Sequence, residues 1–123
     1  LGFEKKLELG NMNAKRDWGH AKDYVYAMWL IMQRKKPEDF VIASGKQYSV
    51  EDFAKEAFKY VGLDYKDYIK INRSLIRPSE VDSLLGNSYK AKKILKWKPS
   101  IDFKTLVADM VQSDLNIVSK QGY

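Results

Sequence analysis

The chain has 123 residues, enough for one domain with a core of its own. Apolar residues make up 45% and charged residues 31%, a globular composition in which no apolar run approaches the roughly 18 residues of a membrane span. Absence of cysteine and a single histidine, His20, exclude disulfides, thiolate chemistry and multi-histidine metal sites, while a net charge of +6 points to an anionic partner or to a solvated lysine surface.

In chain order, Leu7-Glu8-Leu9 alternates like a short strand and runs into Gly10-Asn11. A helix is predicted from near His20, with Val25, Met28, Trp29 and Met32 at i, i+3, i+4, i+7 as one buried stripe and Lys35-Lys36-Pro37 as its end. Phe40-Val41-Ile42-Ala43 reads as a strand buried on both faces, followed by a turn at Ser44-Gly45-Lys46. Ser49 with Asp52 forms a variant capping box for a second helix, whose 3.6 period runs from Val50 to Val61 and stops at Gly62. Tyr68–Asn72 alternates like a half-buried strand, and Ser79 is predicted to cap a short helical turn closing at Gly86. A third helix over 88–96 leads to Trp97 as a core anchor. A fourth runs from Asp102 to about Lys120 with Phe103, Leu106, Val107, Met110, Val111 and Val118 on one side. The fold class is therefore α/β, with about four helices and few short strands: a small lobe that packs on something else. The start at Leu1-Gly2-Phe3-Glu4, without an initiator methionine, reads as a piece of a longer protein.

The seven glycines contain no Gly-x-Gly pair, so neither the dinucleotide fingerprint nor the P-loop is present. Tyr89 and Lys93 match the Tyr-x-x-x-Lys pair of short-chain dehydrogenases, but Lys90, Lys92, Lys96 and Lys98 around them favour a solvated face. Tyr89 and Trp97 stand among those lysines, but Trp97 fits a core anchor better than a base-stacking platform, so no nucleic-acid partner is expected. Two arginines placed just after strand-like segments are sharper. Arg16, in Arg16-Asp17-Trp18-Gly19-His20, and Arg77, in Arg77-Pro78-Ser79-Glu80, present guanidinium forks that match phosphate oxygens. Pro78 biases Arg77 towards an extended backbone. Glu80 has the acceptors for a sugar hydroxyl pair. Pairing of Arg16 with Asp17 or Asp23 as a structural salt bridge stands equally open.

The run Leu9-Gly10-Asn11-Met12-Asn13-Ala14-Lys15-Arg16-Asp17-Trp18-Gly19-His20-Ala21-Lys22-Asp23-Tyr24-Val25 resembles the GDP-mannose 4,6-dehydratases, which are extended short-chain dehydrogenase/reductase enzymes. Pro37–Ala43, Arg77–Asp82 and Lys90-Ala91-Lys92 ahead of Trp97-Lys98-Pro99 agree in the same order. The resemblance implies that residues 1–123 are a C-terminal substrate-binding domain without the N-terminal NADP-binding Rossmann domain. The whole enzyme converts GDP-mannose to GDP-4-keto-6-deoxymannose and water, with NADP carrying the hydride.

By resemblance, Arg16 and Arg77 hold the diphosphate, Glu80 takes the guanosine ribose and Asn11 lines the nucleotide end, while no catalytic residue lies in this chain. His20 braces the Arg16 loop or caps the following helix, and Tyr89 and Lys93 are not the catalytic pair. Asn87-Ser88-Tyr89 and Lys96 depart from the family's usual Asp-Pro-Thr and Gly, which puts the local cap and turn in doubt. The implied setting is cytoplasmic, with GDP-mannose and the N-terminal domain as partners, no membrane, and a homo-oligomer when full length. The alternatives are the lobe of another extended-family epimerase or dehydratase with a different nucleotide sugar, and a stand-alone nucleotide-sugar or nucleic-acid binding module.

Overall fold

The computed structural model describes residues 2–121. Helix α1 is Ala21–Met32, α2 is Val50–Tyr60 and α3 is Phe103–Gln121, with a π-helical turn at Ala91–Leu95. Strand β1, Leu7–Leu9, pairs in parallel with β4, Ile69–Ile71, and β2, Lys15–Arg16, pairs antiparallel with β3, Tyr48–Ser49. The sheets are thus two separate two-stranded ladders, and α/β with few short strands is what forms. No helix among the described residues is long and apolar enough to cross a membrane.

Local chemistry sets most boundaries as the sequence predicts. The Ser49 hydroxyl accepts from the Asp52 N–H, and the Asp52 carboxylate accepts from the Ser49 N–H, closing the capping box of α2. Gly62 takes φ +73° just past that helix, and the Asp102 carboxylate accepts from the Thr105 N–H at the start of α3. His20 is the N-cap of α1, its Nδ1 accepting from the Lys22 N–H at 3.1 Å.

Three expectations are corrected. Val25, Met28, Trp29 and Met32 are exposed, Met32 at 81%. Helix α1 is apolar on two faces, and the spacing fits both. The inner one, with Ala27 buried and Tyr24, Leu30 and Ile31 beside it, covers the core, and α1 already ends at Met32. Phe40–Ala43 is no strand, because no neighbouring strand supplies a ladder. Phe40 and Ile42 pack on the core while Val41 is 54% exposed, so the segment is not buried on both faces. The helical turn expected over 79–86 is also absent. Pro78 instead sits second in a turn closed by the Glu80 N–H on the Arg77 carbonyl, after which the chain extends and Ser83 bridges to Lys15.

One core gathers Ala27, Ala91, Leu95 and Trp97. Trp97 is 1% exposed and donates its indole N–H to the Asp23 carbonyl at 2.9 Å. Lys96 in the left-handed conformation, φ 55°, turns the chain so that Trp97 enters the core. At the other end of the turn the Asn87 side chain accepts from the Tyr89 N–H, so Asn87 supplies a local cap. Asp23 is buried, and its carboxylate accepts from the Ser100 N–H, the Ser100 hydroxyl and the Ile101 N–H, tying α1 to the chain after Trp97. Burial works to raise the Asp23 carboxyl, but those three hydrogen bonds, helped by His20, prevail and hold it below its ordinary range. A second cluster stacks Tyr48 on Phe103 at 3.8 Å between ring centres, with Trp18 at 5.2 Å from Phe53 and 5.9 Å from Phe103.

Two predictions follow from this packing. A left-handed non-glycine residue costs about 1 kcal/mol, so Lys96→Gly should raise stability by about that amount in chemical denaturation. Because the folded Asp23 carboxyl lies below the roughly 3.9 of an unfolded chain, the folded state binds fewer protons there. That stability is full above about pH 4 and is lost as pH falls through the folded value. Denaturation midpoints measured from neutral to acid pH should fall less steeply for Asp23→Asn than for the parent chain.

Candidate functional site

Two segments far apart in sequence lie side by side at the strand ends. The Lys15 N–H donates to the Asp82 carbonyl at 2.8 Å, and the Leu84 N–H donates to the Lys15 carbonyl at 3.0 Å. At the end of the β1/β4 ladder, Gly10 approaches the chain so closely that a Cβ there would lie 2.8 Å from the Leu75 carbonyl oxygen. The run 10–17 is therefore laid along 75–86. The side-chain groups on these runs converge because the backbones do.

Arg16 stands opposite Tyr48 across the β2/β3 pair, and its Nη2 lies 3.3 Å from Glu80 Oε1. Its Nη1 donates to the Lys15 carbonyl at 2.8 Å, which fixes one edge of the fork. The guanidinium is partly exposed, and it pairs with Glu80 rather than with Asp17 or Asp23. Arg77 begins the turn that ends at Glu80, and it is exposed. Asn11 follows the end of β1, and its side-chain Oδ1 accepts from the Asn13 N–H at 3.0 Å. Arg16 and Glu80 are thus brought into contact, whereas Asn11 and Arg77 lie on the same two runs with no side-chain ion pair or hydrogen bond to that pair among the described residues.

A cavity of about 400 Å³ opens beside Arg16, lined also by Asp17, Trp18, Leu84, Leu85 and Gly86. The partly exposed Arg16 guanidinium at its wall suits an anion better than a neutral group. Both nitrogens of His20 are engaged, Nδ1 by the Lys22 N–H and Nε2 by Asp109 at 3.5 Å. Burial, with the charges of Asp17 and Asp23 adding to it, pushes the Tyr24 hydroxyl above its ordinary value, so it is a neutral phenol at neutral pH. Tyr89 is 65% exposed, and Lys90 beside it turns away to the Asp39 carbonyl and to Glu38.

NADP finds no cradle in these residues. The dinucleotide fold needs a strand passing through paired glycines into a helix N-terminus. Here α1 is entered through Trp18-Gly19-His20, where the space a Cβ would take is filled by the Tyr24 ring, and α2 is entered directly from β3 through Ser49.

Sequence reasoning missed the part played by Asp17, Ser44, Gly45 and Gly86, whose main-chain and side-chain groups meet in one hydrogen-bond cluster. No local pattern marks such a cluster, since its members come from three separate stretches of chain.

The same fold occurs within larger proteins of known structure. A dTDP-glucose 4,6-dehydratase from Bacillus anthracis in complex with NAD superposes with a TM-score of 0.82 at 20% identity, over 94% of this chain and 36% of that one. RMD from Pseudomonas aeruginosa complexed with NADPH gives 0.77 at 16% identity, over 88% and 35%. This chain has the fold of about a third of each of those chains.

Sequence narrows the class. Residues 1–110 match the GDP-mannose 4,6 dehydratase family, and the chain belongs to that family. GDP-mannose 4,6 dehydratase 2 of Arabidopsis thaliana is 47% identical over 98% of this chain and 32% of its own length. The Dictyostelium discoideum and Homo sapiens GDP-mannose 4,6 dehydratases are 46% and 42% identical over 95% and 96% of this chain. The chain spans about a third of the length of these curated relatives.

Proposed function

We propose that this chain is the nucleotide-sugar-binding part of a GDP-mannose 4,6-dehydratase, which converts GDP-mannose to GDP-4-keto-6-deoxymannose and water in the cytoplasm. The observation that carries the reading is the Arg16–Glu80 contact at the head of two strand-end segments, in a chain closely similar to enzymes of that name. Arg16 and Arg77 take the diphosphate, Glu80 the ribose hydroxyls, and Asn11 the nucleotide end. The pairing of Arg16 with Glu80 supports these roles, because it sets a guanidinium beside a carboxylate, the two kinds of group that a diphosphate joined to a ribose would need. Binding at the nucleotide end acts on rate by fixing the hexose. The contact energy made far from the reacting carbons offsets the entropy of holding them in place.

On this reading NADP is held by residues outside 2–121, together with the groups that move protons. The exposed face of α1 supports that division. Val25, Met28, Trp29 and Met32 make an exposed apolar surface, suited to packing against the rest of a polypeptide about three times as long. The full-length protein is a homo-oligomer in this proposal.

Titration calorimetry of the full-length enzyme with GDP-mannose tests the site. Arg16→Ala and Arg77→Ala should each lose about 1.5–3 kcal/mol of binding, the value of a hydrogen bond to a charged group. Unchanged affinity in both variants would remove the diphosphate role. Tyr89→Phe should keep turnover within about twofold, since a solvated tyrosine contributes no transition-state contact. An inactive, folded Tyr89→Phe enzyme would restore the Tyr-x-x-x-Lys pair as catalytic.

A further inference from the structure

The neighbour of Arg16 in sequence is held more tightly than Arg16 itself. Asp17 Oδ1 accepts from the Ser44 N–H at 2.8 Å and from the Ser44 hydroxyl at 2.5 Å. Its Oδ2 accepts from the Gly45 N–H at 2.9 Å and from the Gly86 N–H at 3.2 Å. Four donors nearly saturate the acceptor capacity of one carboxylate, and three of them are main-chain amides. Ser44 and Gly45 offer successive N–H groups, with Gly45 at φ +75°, the local shape that concentrates donors on an anion. Gly86 can come this close only because it has no side chain, since a Cβ there would collide with the Ala43 side chain.

We infer that Asp17 is a positioning residue for substrate binding: it knots the Arg16 segment to the 44–45 turn and to the end of the 80–86 run, and so sets Arg16 against Glu80. The inference rests on the reading of Arg16 as a phosphate contact and adds to it the group that holds Arg16 in place. Three constraints converge on this stretch. The β2/β3 pairing fixes the backbone of Arg16, Asp17 binds the two loops, and Trp18 is clamped between Phe53 and Phe103. Of these three, the carboxylate reaches the segment that carries Glu80, where it adds a side-chain tie to the Lys15–Asp82 and Lys15–Leu84 main-chain bonds. Asp17 touches no ligand atom in this account. Its contribution is that the fork and the carboxylate need no rearrangement when a nucleoside diphosphate arrives.

The test is steady-state kinetics on the full-length enzyme with GDP-mannose, comparing Arg16→Ala, Asp17→Asn and the double variant. Asparagine keeps the shape but carries one NH₂ where a carboxylate oxygen accepted, so donors face donors at Gly45 and Gly86. Asp17→Asn should raise KM about tenfold, with the effect on KM rather than kcat, and the double variant should bind little worse than Arg16→Ala alone. A residue that served the fold alone would lower the active fraction without moving KM, and its effect would add to that of Arg16→Ala. Should Asp17→Asn fail to fold, Ser44→Ala removes only the hydroxyl donor and should raise KM about threefold. KM within about twofold of the parent in the folded variant, while Arg16→Ala raises it, overturns the positioning role and leaves the diphosphate reading standing. A silent Arg16→Ala overturns the diphosphate reading and the inference with it.

Discussion

The main chain of Lys15 is the point on which the arrangement turns. It stands opposite Ser49 on one side and opposite Ser83 on the other, so β2 is the middle of three adjacent runs. That double pairing, together with the Asp17–Gly86 hydrogen bond, joins the segments bearing Arg16 and Glu80. Joining them closes a long stretch of chain, and the cost of closing it grows only slowly with its length. What the closure needs is enough contact on both sides. The Tyr48, Phe53, Phe103 and Trp18 rings supply it on the helical side, and the Asp17 carboxylate supplies it on the loop side.

A second clamp works from α1. Asp23 is one residue used twice, its carbonyl for the Trp97 indole and its carboxylate for Ser100 and Ile101. This fixes the chain leaving the π-helical turn against the start of α1, and α1 in turn begins at His20, shortly after the Arg16 segment. Core and candidate site are thus joined along the chain by a short connection.

What the sequence made legible was local. The Ser49/Asp52 box, the Gly62 stop, the cap at His20 and the alternation at 69–71 each depend on residues a few positions apart, and each forms. What it hid was the choice between equivalent patterns and the pairing of distant ones. Helix α1 offers two apolar faces with the same period, and only the position of Trp97 decides which is covered. Phe40–Ala43 has the composition of a strand but no partner among the described residues, and a strand is a property of two segments. At 79–86 the capacity of Ser79 to cap a helix lost to pairing with Lys15. Arg16 and Glu80 stood out in the sequence as candidate binding groups, but their contact, and the hydrogen bonds of Asp17 beneath it, needed three dimensions.

The central claim is that the runs 10–17 and 75–86 together form the nucleoside-diphosphate cradle. Amide hydrogen exchange of the full-length enzyme, with and without GDP-mannose, addresses it directly. The account predicts that ligand-induced protection within this chain concentrates in those two runs and in the 44–45 turn that Asp17 joins to them, while the lysine-rich stretch 90–98 is unchanged. Protection confined to 90–98, or absent from both runs, would contradict it.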